Sequence, residues 1–293
     1  MPSQPPDVLE TRPLLSDLVI GESPRWHEHR LWFANWGAGE IVAVDLEGRS
    51  EVVAQGPPGL GWSIDWLPDG RLLVTGEGLM RLEPDGSMVP HADLSGLGAG
   101  GFNELVVDGR GNVYVNGGAD FHPDEGQAPG IIALVTPDGS VRQVAYGIAF
   151  PNGMAVTPDN ATLIIAESFA GRLTAFDIAA DGSLSNRRVW ADGVGPDGIC
   201  IDAEGAVWTG VGSFDANAVG RVRDGGEVLE RVELDMPCFA CMLGGEDRRT
   251  LFMLTADWRI DEGFEANIAR LTSGPRTGRV LTARAPAPGA GWP

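Results

Sequence analysis

The chain has 293 residues, with 21 Lys and Arg residues against 41 Asp and Glu residues, which gives a formal net charge of −20. A surface this negative repels nucleic acid and anionic membranes but remains compatible with a metal cation. No apolar run is long enough to cross a bilayer, and the first residues lack a basic region followed by an apolar core, so the sequence predicts a cytoplasmic protein without a membrane partner.

The interior of the chain contains no Pro/Ser-rich linker and no block of charge, which favours a single domain over residues 1–293. The segments at about 1–7 and 285–293 are rich in Pro, Gly or Ala and are predicted to be poorly ordered tails. Cys238 and Cys241 form an isolated C-x-x-C pair without a nearby His, which disfavours a zinc site. All three cysteines are predicted to be small buried side chains, with a redox role as the weaker alternative.

One pattern recurs six times along the chain: an apolar pair, a turn rich in Asp and Gly, and a second apolar segment. Each copy is typical of a β-hairpin. The copies begin 40, 41, 49, 45 and 42 residues apart. They occupy residues 26–33, 66–74, 107–115, 156–165, 201–208 and 243–252.

A second hairpin follows each of these copies. Its first strands are predicted at 41–45, 80–83, 131–135, 173–177, 219–222 and 268–271. Two hairpins give four strands, and six such units predict an all-β, six-bladed β-propeller with four-stranded blades. Another all-β array, such as two sandwiches, is the weaker alternative. Residues 8–15 and 280–283 are the predicted partners that close the ring.

Polar residues recur at one register of the repeat. The first strand of each blade runs beside the propeller axis, so equivalent positions lie at similar depth around one ring. Stepping back four residues from the start of each copy gives Glu22, Trp62, Asn103, Asn152, Asp197 and Phe239. Apolar residues or Gly are expected at such positions. Four oxygen-bearing side chains facing one another predict a central metal site for a hard divalent ion, with Ca²⁺, Mg²⁺ or Mn²⁺ favoured over Zn²⁺.

Each of these residues also has a structural interpretation. Glu22 could cap a turn, and Asn152-Gly153 and Asp197-Gly198 are ordinary turn dipeptides. Asn103 could satisfy backbone groups after a Gly-rich loop. The shared register of the four residues favours the metal site over these separate explanations. His122 and Asp120 fall in a long loop that is predicted to lie near the channel mouth.

Four segments resemble the SMP-30/gluconolactonase/luciferin-regenerating family of metal-dependent lactonases. They are Gly-Glu-Ser-Pro-Arg-Trp at 21–26, Gly-Phe-Asn-Glu at 101–104, Pro-Asn-Gly-Met at 151–154 and Pro-Asp-Gly-Ile-Cys-Ile-Asp at 196–202. The resemblance implies that Glu22, Asn152 and Asp197 bind the metal, that Asp197 also acts as general base, and that Asn103 touches substrate or metal. Sugar-lactone members usually have Arg where this chain has Gly101, so a less polar lactone is also expected as substrate.

The resulting hypothesis is hydrolysis of a small lactone or ester. A metal ion polarises the carbonyl, and Asp197 or the metal activates water. Trp62 and Phe239 are predicted to form apolar walls, and Glu104 and Asp120 to contact substrate or support the site. Two alternatives remain open: a calcium-dependent phosphotriesterase of the same architecture, and a non-enzymatic scaffold with a structural metal.

Overall fold

The computed structural model describes residues 6–97, 101–118, 129–213 and 217–292. The regular structure of the described residues is almost entirely β-strand. In chain order the strands are β1 (Asp7–Val8), β2 (Arg12–Leu18), β3 (Ile20–His27), β4 (Arg30–Trp36), β5 (Glu40–Val44), β6 (Ser50–Gln55), β7 (Ile64–Trp66), β8 (Leu72–Thr75), β9 (Leu79–Leu82), β10 (Met88–Ala92), β11 (Phe102–Val107), β12 (Val113–Gly117), β13 (Gly130–Val135), β14 (Val141–Ile148), β15 (Pro151–Val156), β16 (Thr162–Glu167), β17 (Arg172–Ile178), β18 (Leu184–Asp192), β19 (Cys200–Ile201), β20 (Val207–Gly210), β21 (Ala218–Val222), β22 (Val228–Glu233), β23 (Cys238–Gly244), β24 (Thr250–Thr255) and β25 (Gly278–Arg284). Short 3-10 helices occur at Ser95–Leu97, Ser168–Ala170 and Ile260–Glu262.

The strands are arranged in six sheets, each of which is one blade. Blades 1 to 5 are built from consecutive strands, namely β3–β6, β7–β10, β11–β14, β15–β18 and β19–β22. The first strand of each blade contacts the first strands of its neighbours, in the closed cycle β3, β7, β11, β15, β19, β23 and back to β3. Packing between blades buries the apolar side chains of successive sheets, as in the stack of Trp26 on Phe252 with ring centroids 5.5 Å apart. The predicted six-bladed propeller is therefore confirmed.

Blade 6 is shared between the two ends of the chain and consists of β23, β24, β25 and β2. β2 pairs antiparallel with β25, with Arg12 opposite Thr282 and Leu18 opposite Gly278. The predicted closure between the two ends is confirmed, although the N-terminal strand begins at Arg12 and not at residue 8. Residues 7–8 instead form β1, which adds in parallel to the outer edge of blade 5 beside β22.

The strand predicted at 268–271 is wrong. Those residues lie in helix α1 (Phe264–Ser273), between β24 and β25. Phe264, Ile268 and Leu271 recur at helical spacing, and this period decides the local structure over the apolar run that suggested a strand. Leu271 is 2% exposed and faces the core. The third strand of blade 6 is β25, which begins after the helix.

The predicted tail at 285–293 is also wrong over residues 285–292, which we call the C-terminal strap. The backbone N–H of Ala285 donates to Arg249 O (2.8 Å), that of Ala290 to Ile201 O (3.0 Å) and that of Trp292 to Val156 O (3.0 Å). The strap therefore lies over the hairpin-turn ends of blades 6, 5 and 4. Pro, Gly and Ala are common in disordered segments, but here backbone hydrogen bonds and the burial of Ala285 and Ala287 fix the segment on the propeller.

The same end of the propeller carries the Asp-Gly turns of the hairpins. In these turns an Asp carboxylate accepts the N–H of the residue two positions later, as Asp159 does from Ala161 at 3.0 Å. The opposite end carries the starts of the six inner strands and helix α1. Within the described part of the chain, no helix is long and apolar enough to cross a membrane.

Candidate functional site

The predicted ring residues lie where the inner strands begin, and four of these strands are irregular at that point. In β3 the chain advances three residues from Glu22 to Arg25 while its partner advances two, from Ala34 to Trp32. The same one-residue excess occurs in β11 between Phe102 and Leu105, in β15 between Pro151 and Met154, and in β23 between Cys238 and Ala240. Each is a β-bulge, which changes the direction of a side chain without breaking the sheet. The regular alternation of side chains along the strand is therefore interrupted at four of the predicted site residues, Glu22, Asn103, Asn152 and Phe239.

The Pro-Asn-Gly and Pro-Asp-Gly motifs bring neighbouring blades together. Asn152 and Gly153 lie inside β15 and do not form a turn. The Gly153 N–H donates to Asp197 O at 3.2 Å, and a Cβ on Gly153 would come within 2.6 Å of Ile199 N. A Cβ on Gly198 would come within 2.4 Å of the Ala240 Cβ. Glycine is required because the inner strands approach this closely, and the approach sets Asn152 beside Asp197.

Three carboxylates are buried together at this end of the channel. Glu22, Glu104 and Asp197 are 1%, 2% and 7% exposed. Burial raises the pKa of Glu22 well above its usual range, and the charges of Asp197 and Glu104 raise it further. Burial, followed by the charge of Glu104, likewise raises the pKa of Asp197, although the adjacent Asn152 amide partly offsets this. In the protein alone, these groups lack a positive charge sufficient to stabilise their ionised forms.

Several oxygen atoms of this cluster are buried without a hydrogen bond. Among the described residues, Asn152 Oδ1, Asp197 Oδ1 and Glu104 Oε1 have no hydrogen-bond donor. Two of the predicted ligand residues are held by other contacts: Asn116 Nδ2 donates to the backbone oxygen of Asn152 at 2.7 Å, and Glu22 Oε2 accepts the Ser23 N–H at 2.9 Å. Buried oxygens of this kind are costly unless something satisfies them. Two carboxylates and an amide oxygen are donors that a hard divalent cation prefers, so the residues present fit such an ion.

A buried arginine, missed by the sequence analysis, connects three blades beside the cluster. Arg25 is 6% exposed, and its Nη2 donates to Leu105 O in blade 3 at 2.7 Å. Its guanidinium lies 3.6 Å from Asp65 Oδ2 in blade 2 and 3.9 Å from Glu104 Oε2. Burial raises the pKa of Glu104 to about 7, although the charge of Arg25 opposes that rise. The position of Arg25 could have indicated this role in the sequence, because a charged residue follows Glu-Ser-Pro directly on a predicted inner strand.

The other predicted site residues differ in their surroundings. Asn103 is partly buried, and its side-chain Nδ2 donates to Pro151 O over a long distance, 3.5 Å. Phe239 is 5% exposed and meets the ring of Trp258 edge to face at 5.8 Å. Trp62 is 1% exposed and packs in the core between blades 1 and 2, against Gly56. Asp120 and His122 lie outside the described residues.

In the described ranges, no three or more His, Cys, Asp or Glu side chains are grouped so that they could hold a metal ion. The predicted ligand set contains only two side chains of these types, Glu22 and Asp197, because its third member is the amide of Asn152. The three cysteines are free, with Cys200 and Cys241 buried as predicted and Cys238 partly buried.

The fold and this cluster define a six-bladed propeller with an oxygen-lined site at one end of its channel. Residues 20–257 match the model of the SMP-30/gluconolactonase/LRE-like region. The chain therefore belongs to the SMP-30/gluconolactonase/LRE-like family, which confirms the resemblance seen in the sequence.

Three known proteins illustrate the relationship. The diisopropyl-fluorophosphatase of Loligo vulgaris is 28% identical over 173 residues, which cover 52% of this chain and only 55% of that protein. The pentonolactonase XacC of Haloferax volcanii is 26% identical over 258 residues, which cover 84% of each chain. The solved structure of a luciferin-regenerating enzyme superposes with a TM-score of 0.81 at 20% identity, covering 97% of this chain and 98% of that one. The last comparison shows the shared fold.

Proposed function

We propose that this protein is a divalent-cation-dependent hydrolase that opens a lactone to its hydroxy acid. The observation that carries the proposal is the pair of buried oxygens without donors, Asn152 Oδ1 and Asp197 Oδ1, at the level of buried Glu22. The relationship to a pentonolactonase supports lactone chemistry.

Glu22, Asn152 and Asp197 are the proposed ligands. Their donors are all oxygen atoms, and the two carboxylates bring a charge that a divalent cation neutralises. This donor set suits Ca²⁺ best and is compatible with Mg²⁺ or Mn²⁺, whereas Zn²⁺ usually takes His or Cys as well. When bound, the cation supplies Lewis-acid polarisation of the ester carbonyl and lowers the pKa values of nearby groups.

The chain's own residues then position the reactants. Asp197 accepts a proton from the water that attacks the carbonyl carbon, at the carboxylate oxygen that does not bind the cation. The ring C–O bond breaks, and the leaving oxygen takes up a proton to become the hydroxyl of the product. Asn103 orients the substrate, because the contact of its side-chain amide with Pro151 O is long and the amide can donate instead to an oxygen of the lactone.

The remaining predicted residues have supporting roles in the proposal. Phe239 forms an apolar wall beside the ligands. Trp62 supports that end of the channel from within the core and is not proposed to touch substrate directly, because it is 1% exposed. Glu104 lies beside both ligand carboxylates and is proposed to support the site or contact the substrate. A substrate contact by Asp120 stays a prediction.

A second candidate activity is hydrolysis of a phosphotriester. The relationship to a diisopropyl-fluorophosphatase favours it, and the same ligands could serve both reactions. A non-enzymatic scaffold explains the site less well, because a surface that only binds a partner does not need buried oxygens without donors.

The test is hydrolysis of gluconolactone, dihydrocoumarin and an organophosphate triester by chelated protein reloaded with Ca²⁺, Mg²⁺, Mn²⁺ or Zn²⁺. Asp197→Ala is compared with Asp159→Ala, which removes the same side chain from an exposed turn. We expect metal-restored lactone hydrolysis that falls by at least about 10³-fold in Asp197→Ala and is unchanged in Asp159→Ala.

The alternatives give different results. Turnover of the triester alone would replace the lactonase proposal with phosphotriester hydrolysis. Full turnover in Asp197→Ala with metal bound would remove the assignment of Asp197 as base. Binding of a cation to a folded protein without turnover of any substrate would favour the scaffold.

A further inference from the structure

The site is bordered on one side by a segment that includes residues 268–271, for which a strand was predicted and a helix is found. We call residues 256–277, between β24 and β25, the blade 6 insertion. We propose that this insertion determines substrate specificity, with Trp258 and Phe264 binding a flat apolar group fused to the lactone ring. The inference rests on the proposed function, because it concerns the substrate of the same site.

A row of aromatic rings leads from the ring of predicted site residues to solvent. Phe239 occupies the register of the proposed ligands and meets Trp258 edge to face at 5.8 Å. Trp258 in turn meets Phe264 edge to face at 5.7 Å. Exposure rises along this row, from 5% for Phe239 through partly buried Trp258 to 39% for Phe264. Half-exposed aromatic rings beside a polar site are typical of a surface that binds an apolar part of a ligand.

The neighbouring side chains extend the apolar surface onto blades 1 and 2. Trp36 and Leu60 are partly buried and pack against the same core cluster as Phe239. This cluster also contains Ile20, which lies two residues before Glu22. The apolar surface and the proposed ligand are therefore positioned by the same strand.

The insertion is held in place by buried polar contacts. Asn267 is fully buried, accepts the Arg259 N–H at 2.8 Å, and donates to Arg259 O and Gly263 O, each at 2.7 Å. Arg270 Nη1 lies 2.9 Å from Asp257 Oδ2, which ties helix α1 to the residue before Trp258. Trp258 is thus presented from a fixed backbone, which lowers the entropy cost of binding a rigid ligand.

The opposite side of the mouth has a different chemistry. Blades 3, 4 and 5 contribute Asn103, Asn152 and Asp197, which suit the ester group. A substrate that spans both sides has its carbonyl on the polar blades and an apolar ring over blade 6. A benzo-fused lactone meets this description, whereas a polyhydroxylated lactone would place hydroxyl groups against Trp258 and Phe264.

The experiment compares two lactones that differ only by the fused ring, dihydrocoumarin and δ-valerolactone, in Trp258→Ala and Phe264→Ala. Phe169→Ala is the matched control, because Phe169 is a 45% exposed phenylalanine on blade 4 at the same end of the propeller. We expect kcat/KM for dihydrocoumarin to fall about tenfold in Trp258→Ala and about threefold in Phe264→Ala. For δ-valerolactone both variants should stay within about twofold of the parent protein.

A binding measurement separates this inference from the proposed activity. The corresponding lactams, 3,4-dihydro-2-quinolinone and δ-valerolactam, are tested by calorimetry on the Ca²⁺-loaded protein. We expect the fused lactam to bind more tightly than the simple one, and Trp258→Ala to remove that preference even if neither lactone is hydrolysed.

Three results would each overturn the proposal. The first is an equal loss of kcat/KM for both lactones, and the second is an unchanged preference for the fused lactam in Trp258→Ala. The third is a loss of kcat/KM in Phe169→Ala as large as that in Phe264→Ala. If Trp258→Ala does not fold, the variants Phe264→Ala, at an exposed position, and Trp258→Leu supply the same comparison. Failure of all lactones to react, with the lactam preference intact, would count against the proposed activity alone.

Discussion

Two buried carboxylates in different regions of the molecule show how the proposed ligand site differs from a structural ion pair. Glu167, at the end of β16 in blade 4, is fully buried and accepts hydrogen bonds from Thr174 Oγ1 at 2.5 Å, Arg187 Nη2 at 2.9 Å and the Ala149 N–H at 2.9 Å. Glu22, at the channel mouth, is buried to nearly the same degree, and among the described residues its carboxylate accepts a hydrogen bond only from the Ser23 N–H.

The net pKa shifts of the two side chains are opposite in direction. Burial raises the pKa of both, but at Glu167 the hydrogen bonds from Thr174 and Ala149 and the nearby Arg187 outweigh it, so that the pKa is lowered. At Glu22 the neighbouring carboxylates add to the effect of burial. The carboxylate whose acidic neighbours add to the effect of burial is therefore the one proposed as a ligand, and the number of acidic residues alone does not identify it.

The largest expected difference between Glu22 and Glu167 is in their effect on the affinity for a cation. Glu22→Gln keeps the shape of the side chain but removes a charged ligand, so we expect the Ca²⁺ affinity to fall by at least about 100-fold. Glu167→Gln should leave this affinity within about twofold of the parent protein. Calorimetric titration of chelated protein with Ca²⁺ measures both. Equal affinities in the two variants would remove Glu22 from the site.

Stability of the metal-free protein should change in the opposite order. Glu167→Gln loses hydrogen bonds to charged partners, and we expect it to reduce the free energy of unfolding by roughly 1–3 kcal/mol. Glu22→Gln removes a like charge from an unsatisfied cluster and should raise the thermal midpoint at pH 8. Thermal unfolding in excess chelator tests both. A destabilised Glu22→Gln would mean that this carboxylate has a structural partner.

The smallest effect is a dependence of stability on pH. An acid whose folded pKa exceeds its unfolded value holds more protons in the folded state between the two values, so stability falls as pH rises through that window. For Glu104 the window runs from 4.5 to about 7. We therefore expect the midpoint of metal-free protein to fall from pH 5 to pH 8, and Ca²⁺ to raise it more at pH 8 than at pH 5. Glu167, with its lowered pKa, adds no slope there. A flat profile in chelator would contradict the prediction.

The repeat made the propeller predictable, because six hairpins at similar spacing have few other ways to bury their apolar faces. Glu22, Asn152 and Asp197 could be selected because a single register relates them. The bulges that set this register apart depend on contacts between strands, and they leave no separate signal in the sequence. The contacts of Arg25 with Asp65 and Glu104 were missed because they join residues 40 and 79 positions apart in the chain.

The two wrong predictions have a common cause. Helix α1 and the C-terminal strap were judged from short windows, as an apolar run and as a Pro/Gly-rich tail. The structure of both segments depends on the residues packed against them. Leu271 packs with Phe239, and Ala285 and Ala287 are buried on the turns of the propeller. Trp258 was overlooked for the same reason, since its importance derives from the rings beside it.

The pairing of β2 with β25 has a consequence for how the protein is made. Glu22 leaves the ribosome early, but blade 6 cannot form until residues 278–284 have followed it, because β2 has no other antiparallel partner among the described strands. Glu22 and Asp197 come to face each other only in the closed ring. A nascent chain that has folded its first five blades therefore contains all three proposed ligands but lacks the closed ring that brings blade 1 to blade 5, and it completes the site in the last, long-range step of folding.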